Sequence, residues 1–256
     1  MLVLLFAVAT VAAVRGMWSP CGLSMLSTLN PVSERARGHR FWATACWYLV
    51  GAVVGGAVLG GGCAVAAYGY GRLELSPATD WSLALSCAAL AVLSDARVGG
   101  WSLPIHPRQV DERWVDTYRR WLYASGYGVQ IGAGFATYVM TAGVYLLAAL
   151  AVLTGSPLQA LAGGVAFGLV RGLSVLVAAA GQTPSSLRVV IGRVDSWSGA
   201  SALAAASSCG AVAVVAGWQL GGAAFAAGIA VALGALLTLA RDADAAPRLR
   251  SRLGID

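Results

Sequence analysis

The chain has 256 residues, of which 58% are hydrophobic and only 11% are charged. A soluble domain carries about a quarter charged residues, so this composition excludes an ordinary soluble enzyme and indicates a membrane protein with several spans. The net charge of +6 does not indicate a nucleic-acid partner, because membrane topology alone concentrates basic residues on one side.

The apolar runs predict seven transmembrane helices, since a helix of roughly 20 residues crosses the hydrocarbon core. We expect an all-α polytopic membrane protein with spans at about 2–29, 41–67, 81–94, 124–152, 157–180, 197–217 and 221–240. Only the segment WQLGG separates the last two spans, which leaves six as the alternative count.

The distribution of arginines favours seven spans and fixes an orientation. Arg72 falls alone on one side, and the other side receives fourteen arginines, namely Arg35, Arg37, Arg40, Arg97, Arg108, Arg113, Arg119, Arg120, Arg188, Arg193, Arg241, Arg248, Arg250 and Arg252. Positively charged loops stay in the cytoplasm. The sequence therefore predicts a bacterial plasma-membrane protein with its N-terminus outside and its C-terminus in the cytoplasm.

Glycine spacing indicates an internal repeat. When the chain is shifted so that Gly16 meets Gly128, four more glycines coincide, pairing 22 with 134, 51 with 163, 56 with 168 and 60 with 172. Because spans one and four run in opposite directions, the repeat is predicted to be inverted, as in many transporters. The predicted organisation is a first three-helix repeat over 1–94, a connection over 95–123, a second three-helix repeat over 124–217, and a C-terminal helix with a basic tail over 218–256.

Glycines four residues apart lie on single helix faces in spans two and five. Gly51 with Gly55, Gly56 with Gly60, and the series Gly164, Gly168 and Gly172 have this spacing. Such faces predict close helix packing, because no side chain keeps the backbones apart. A glycine-lined permeation path is the alternative.

The connection contains the segment RQVDERWVDTYRRWLY. Val110, Trp114, Tyr118 and Trp121 recur in it at helical spacing. This pattern predicts a cytoplasmic amphipathic helix at the headgroup boundary, where tryptophan, tyrosine and arginine are common. A docking site for a partner protein is the alternative function of this segment.

Two spans are predicted to be broken at equivalent places. Span one contains RGMWSPCG, in which Pro20 cannot continue the helical hydrogen bonds. Span four contains GYGVQIGAG, which is rich in glycine. Paired interruptions of this kind predict a central binding site, with lining residues Ser19, Pro20, Cys21, Gly22, Gln130, Gly132 and Gly134.

Arg15 and Arg171 lie near the centres of their spans. A guanidinium at this depth is costly unless it meets a cavity or a partner. Together they predict a site for an anionic group, because arginine offers a fork of donors. The alternative is that each arginine binds backbone carbonyls or an aspartate at the end of a span.

The segment SPCGLSMLSTLNP in a glycine-flanked first span resembles the membrane domains of the CcdA/DsbD family, within the LysE-type transporter superfamily. The resemblance implies a three-plus-three inverted repeat and a thiol relay that uses one cysteine in each half. Cys21 stands at the first position, but Ala133 is its repeat equivalent, so a relay would need another thiol.

The sequence thus predicts a transporter of a small anionic or zwitterionic solute. The alternatives are a thiol or electron relay, or cytochrome c biogenesis component, that uses Cys21, and a non-transporting scaffold that docks through 95–123. We expect no enzyme activity, no metal and no cofactor, because no catalytic or metal-ligand motif occurs. The predicted partners are the lipid bilayer, the solute, and either a second copy or another membrane protein, but no nucleic acid.

Overall fold

The protein is described by a computed structural model that covers residues 1–97, 101–104, 110 and 113–253, with side chains up to residue 234. Within these residues the secondary structure is helical and contains no strand. The helices are α1 Leu2–Arg15, α2 Pro20–Thr28, α3 Pro31–Ala36, α4 Phe41–Gly71, α5 Pro77–Asp95, α6 Trp114–Thr117, α7 Arg120–Gly132, α8 Gly143–Leu153, α9 Pro157–Leu173, α10 Val175–Ala178, α11 Pro184–Ser196 and α12 Ser198–Leu253.

Several of these helices are long and apolar enough to cross a bilayer, which agrees with the predicted multi-pass membrane protein. Among the described residues, four segments qualify by length and hydropathy, at Phe41–Gly71, Pro77–Asp95, Pro157–Ala178 and Ser198–Gly234. A fifth span exists if the bent pair Leu2–Trp18 and Pro20–Thr28 is one crossing. The seven predicted spans are not confirmed, because α7 and α8 are short helices separated by the irregular residues 133–142.

The chain reverses direction within α12. Gly222 has φ 70° and ψ −162°, a conformation that glycine adopts readily because it has no Cβ. After it, Leu233 returns to 3.4 Å from the position that a Cβ on Gly210 would occupy, and Ile229 contacts Gly217. A straight helix would separate Gly210 from Leu233 by about 35 Å. This reversal lies where the sequence predicts the boundary between the sixth and seventh spans.

Helix α4 is the central element and uses two glycine faces. Gly51 and Gly55 receive the parallel helix α7, and a Cβ on Gly55 would lie 2.7 Å from the Ala133 nitrogen. Gly56 and Gly60 receive the antiparallel helix α9 at the backbone of Gly164 and Gly168. These contacts confirm that the spaced glycines serve helix packing.

The helix contacts are reciprocal in the way that two related halves require. Helix α4 packs on α9 and α5 packs on α12, so the second and third elements of each predicted half contact their own equivalents. Likewise α1 contacts α9 while α4 contacts α7 and α8. The division of the chain into two inverted repeats stays a prediction that agrees with this pattern.

The connection before α7 differs from the predicted amphipathic helix. Residues 108–109 and 111–112 of that prediction lie outside the described part, and the rest contains the single turn α6 and the first residues of α7. Tyr118 is extended, with φ −111° and ψ 159°, so the helical pattern is interrupted two residues before α7 begins. Trp114 lies against Gly126 and stacks on Tyr127, which turns this ring towards the protein.

A buried carboxylate that the sequence analysis missed holds α3 against α4 and α7. The Glu34 side chain is fully buried and accepts hydrogen bonds from Thr44 and from the Tyr123 hydroxyl at 3.0 Å. Arg37 forms an ion pair with Glu34 at 3.0 Å. A buried charge with several partners is tolerated because its lost hydration is replaced.

We expect Gly56→Ala to lower the free energy of unfolding by about 1–3 kcal/mol, because the added methyl group meets the backbone of α9. Gly61→Ala is the matched control on the same helix, since a Cβ there has nothing within 4 Å. The control should be neutral or stabilising by up to about 1 kcal/mol, from the higher helix propensity of alanine. Unfolding in detergent measures both, and equal effects would contradict the packing role.

Candidate functional site

The predicted first span is bent by 66° between the segments Leu2–Trp18 and Pro20–Thr28. Ser19 caps α2 by accepting a hydrogen bond from the Gly22 nitrogen at 3.1 Å, and its hydroxyl donates to the Gly16 carbonyl at 2.7 Å. Pro20 occupies the first turn of α2, where its missing N–H leaves no helical bond unmade. The break is therefore a built feature, with buried Ser19 holding both sides of it.

Arg171 reaches this break from α9. Its guanidinium occupies the space that a side chain on Gly16 would fill, with Nη2 at 2.9 Å from that Cβ position. Only 4% of Arg171 is exposed. It forms no ion pair with any described residue, and its Nε atom has no hydrogen-bond partner.

Few groups near Arg171 compensate its charge. The Tyr48 hydroxyl of α4 and the Cys21 thiol of α2 are its electrostatic neighbours. Tyr48 is fully buried, and its hydroxyl lies near the Ser174 side chain but has no hydrogen-bond partner of normal geometry among the described residues. The guanidinium carbon lies 5.9 Å from the centre of the Phe167 ring, within the range of a cation–π contact. We call Gly16, Cys21, Tyr48 and Arg171 the arginine centre.

The second break contacts the same face of α9. Gly134, with φ 72°, follows the end of α7, and its Cβ position lies 3.1 Å from the Phe167 ring. Phe167 and Arg171 are four residues apart on α9, so they lie one above the other. The two breaks therefore meet the same helix, one at Phe167 and the other at Arg171.

Arg15 belongs to a different place. Its Nη1 atom donates to the Ser198 carbonyl at 3.0 Å and to the Ser201 hydroxyl at 2.7 Å. Asp95, at the end of α5, acts on it electrostatically without a direct ion pair. This geometry does not place Arg15 and Arg171 on two sides of one site, as predicted. For Arg15 it agrees with the alternative, in which the arginine binds backbone carbonyls or an aspartate at the end of a span.

A polar cavity of about 150 Å³ adjoins Arg15. Asp95 on its wall accepts hydrogen bonds from the Ala142 nitrogen at 2.6 Å and from the Thr141 hydroxyl at 2.5 Å, directly before α8 begins. The lining residues are Arg15, Ser94, Asp95, Arg97, Ser102, Leu103, Pro104, Tyr138, Val139, Met140, Thr141, Ala142, Tyr145, Ala202 and Ala205. Neither Arg171 nor Cys21 lines this cavity.

The other predicted lining residues have separate positions. Gly132 backs onto Ala52 at the α4–α7 interface, so its role is packing. Gln130 is half-buried on α7. Cys21 is buried, and none of the cysteines in the described residues forms a disulfide. No group of three potential metal ligands occurs in the described part of the chain.

Tyr48 is not among the site residues predicted from the sequence. Its only signal is its place on α4, four residues before Ala52 and seven before Gly55, on the face that meets α7. The backbones of α4 and α7 are close at this point, since a Cβ on Gly128 would meet the Tyr48 carbonyl oxygen. The arginine centre therefore combines a buried, uncompensated cation with an unsatisfied hydroxyl, an arrangement able to stabilise negative charge.

Comparison with known proteins identifies clear relatives. The chain is 31% identical over 207 residues to the methylamine utilization protein MauF of Paracoccus versutus, covering 76% of this chain and 69% of that protein. The MauF of Paracoccus denitrificans is 31% identical over 203 residues, covering 75% and 69%. The MauF of Methylophilus methylotrophus is 29% identical over 181 residues, covering 66% and 60%. No family model and no solved structure matches the chain.

These relatives correct the resemblance predicted from the sequence. Assignment to the CcdA/DsbD and LysE-type families is wrong, because the four relatives that match are all named MauF. The prediction rested on Ser19, Pro20 and Cys21, a motif of three residues. A match over 207 residues outweighs it.

We expect Arg171→Met to leave the free energy of unfolding unchanged or to raise it by up to about 4 kcal/mol, because it removes a buried charge without an ionic partner. Arg15→Met is the comparison variant. It should lower the free energy of unfolding by about 1–3 kcal/mol, since two hydrogen bonds to α12 are lost. Thermal or denaturant unfolding of both variants in detergent measures this. Destabilisation by Arg171→Met would assign Arg171 a structural role.

Proposed function

Because this chain belongs to the MauF family of methylamine utilization proteins, we propose that it is a membrane-embedded accessory component of methylamine utilization. Its proposed location is a bacterial plasma membrane, with the N-terminus outside and the C-terminus in the cytoplasm. The observation that carries this proposal is the similarity over three quarters of the chain to proteins of that name. The predicted solute transporter has no support from these relatives, and we do not retain it.

We propose the arginine centre as the functional site of the protein. Four features support the assignment: Arg171 is buried without an acidic partner, Tyr48 is unsatisfied beside it, the first span is broken there, and Gly16 leaves room for the guanidinium. A protein that needed only stability would place an apolar residue at 171. The proposed role is non-catalytic, with another protein of methylamine utilization as the partner.

A second candidate role is thiol exchange at Cys21, favoured by the position of this buried cysteine beside Arg171. No described cysteine forms a disulfide, and the repeat equivalent of Cys21 is Ala133. The second thiol would have to come from the partner protein. If the protein is instead a scaffold, residues 118–121 are the part of the connection that remains exposed for docking a partner, since Trp114 packs on α7.

The proposed function predicts complementation. In Paracoccus denitrificans lacking its MauF, this chain should restore growth on methylamine as the carbon source, while growth on succinate is unaffected throughout. Uptake of labelled methylamine should be equal with and without the chain. Failure to restore growth by a chain that is inserted in the membrane would refute the accessory role, and restored uptake would instead indicate transport.

Variants in the same strain separate the two candidate roles. Arg171→Gln should abolish growth on methylamine, because it removes the buried charge, whereas Cys21→Ser should preserve it. Arg193→Gln is the control, since it removes an exposed arginine on α11. Loss of growth with Cys21→Ser, at a normal level of membrane protein, would favour thiol exchange. Normal growth with Arg171→Gln would remove the arginine centre from the mechanism.

A further inference from the structure

An open groove with basic and aromatic walls lies between the starts of α4 and α7. It has a volume of about 680 Å³ and is lined by His39, Trp47, Tyr118, Arg119, Arg120 and Trp121. We call it the interfacial groove. It shares no lining residue with the arginine centre or with the cavity beside Arg15.

The packing of α4 against α7 fixes the groove at one membrane surface. The two helices run parallel, because Gly51 meets Ser125 and Gly55 meets Val129. Their first turns therefore lie side by side, and the Trp47 and Trp121 rings are 6.3 Å apart. Both rings are exposed, and tryptophan is enriched where hydrocarbon meets headgroups.

No described residue neutralises the arginines of the groove. Neither Arg119 nor Arg120 forms an ion pair or a side-chain hydrogen bond with any described residue. On the predicted topology they face the cytoplasm with Arg35, Arg37 and Arg40. Two adjacent guanidinium groups match the oxygens of a phosphate, which they contact through paired N–H donors.

An apolar stripe leads from the groove along the outer face of α4. Val50, Val54 and Val58 are exposed there and continue the row that begins with Trp47. Their spacing of three and four residues places them on one side of the helix. A ligand that fits both parts has a phosphate at one end and a hydrocarbon chain at the other.

We propose that the interfacial groove binds an anionic phospholipid, with its phosphate on Arg119 and Arg120 and one acyl chain along the valine stripe. Anionic lipids are concentrated in the cytoplasmic leaflet, where basic residues attract them. The proposal does not depend on a role in methylamine utilization, because it rests on the groove alone.

The test is native mass spectrometry of the full chain released from detergent with added phosphatidylglycerol or phosphatidylcholine. We expect the wild type to retain phosphatidylglycerol preferentially. Arg119→Gln with Arg120→Gln should weaken that retention about thirtyfold, from the loss of two cationic contacts. The control is Arg188→Gln with Arg193→Gln, which removes the same charge from exposed sites on α11 and should retain the lipid.

Three results would overturn the proposal. Equal retention of both lipids would show that the phosphate contacts do not select charge, and equal loss in the control would show a general effect of net charge. Displacement of phosphatidylglycerol by millimolar inorganic phosphate would show a site for free phosphate. Arg119→Lys with Arg120→Lys keeps the charge without the fork and should give intermediate retention, which guards against a folding defect in the glutamine variant.

Discussion

Close backbone contact on both sides of α4 is the constraint on which the rest of the structure depends. Two glycine faces of this helix receive α7 and α9 at distances that no side chain would permit. In a bilayer, apolar side chains gain little by leaving lipid, so such contacts supply packing that the hydrophobic effect does not. The contacts also set the direction of each neighbour, with α7 parallel and α9 antiparallel to α4.

The arginine centre follows from this constraint. Gly56 holds α9 against α4 at Gly164. As a result, Phe167 reaches the second break, and Arg171, one turn further along α9, reaches the break in the first span. Phe167 then supports Gly134, and Arg171 enters the gap beside Gly16. A larger residue at 16 would exclude the guanidinium, so the glycine in the broken span and the arginine on α9 form one arrangement.

The sequence predicted those features that depend on local geometry. The helix-packing role of the glycines and the interruption at Pro20 follow from residue spacing and backbone chemistry, and both are present. The partners of the buried charges are not local: Arg15 bonds to residues 183 and 186 positions away. Glu34 and Tyr123 likewise meet across 89 residues. The single amphipathic helix predicted around Trp114 is not observed. The backbone is extended at Tyr118, so the aromatic residues of that pattern are divided between α6 and the start of α7.

Arg15 and Arg171, both predicted near the centres of their spans, have different surroundings in the structure. Arg15 obtains a carbonyl, a hydroxyl and a nearby carboxylate, so its burial is compensated by the fold. Arg171 is more completely buried, and the neighbours it has among the described residues are an aromatic ring, a thiol and an unsatisfied hydroxyl. An uncompensated charge inside a membrane protein costs stability that nothing in the described structure returns. The stability cost at Arg171 therefore argues for a requirement other than folding, and it places that requirement where the first helix is broken.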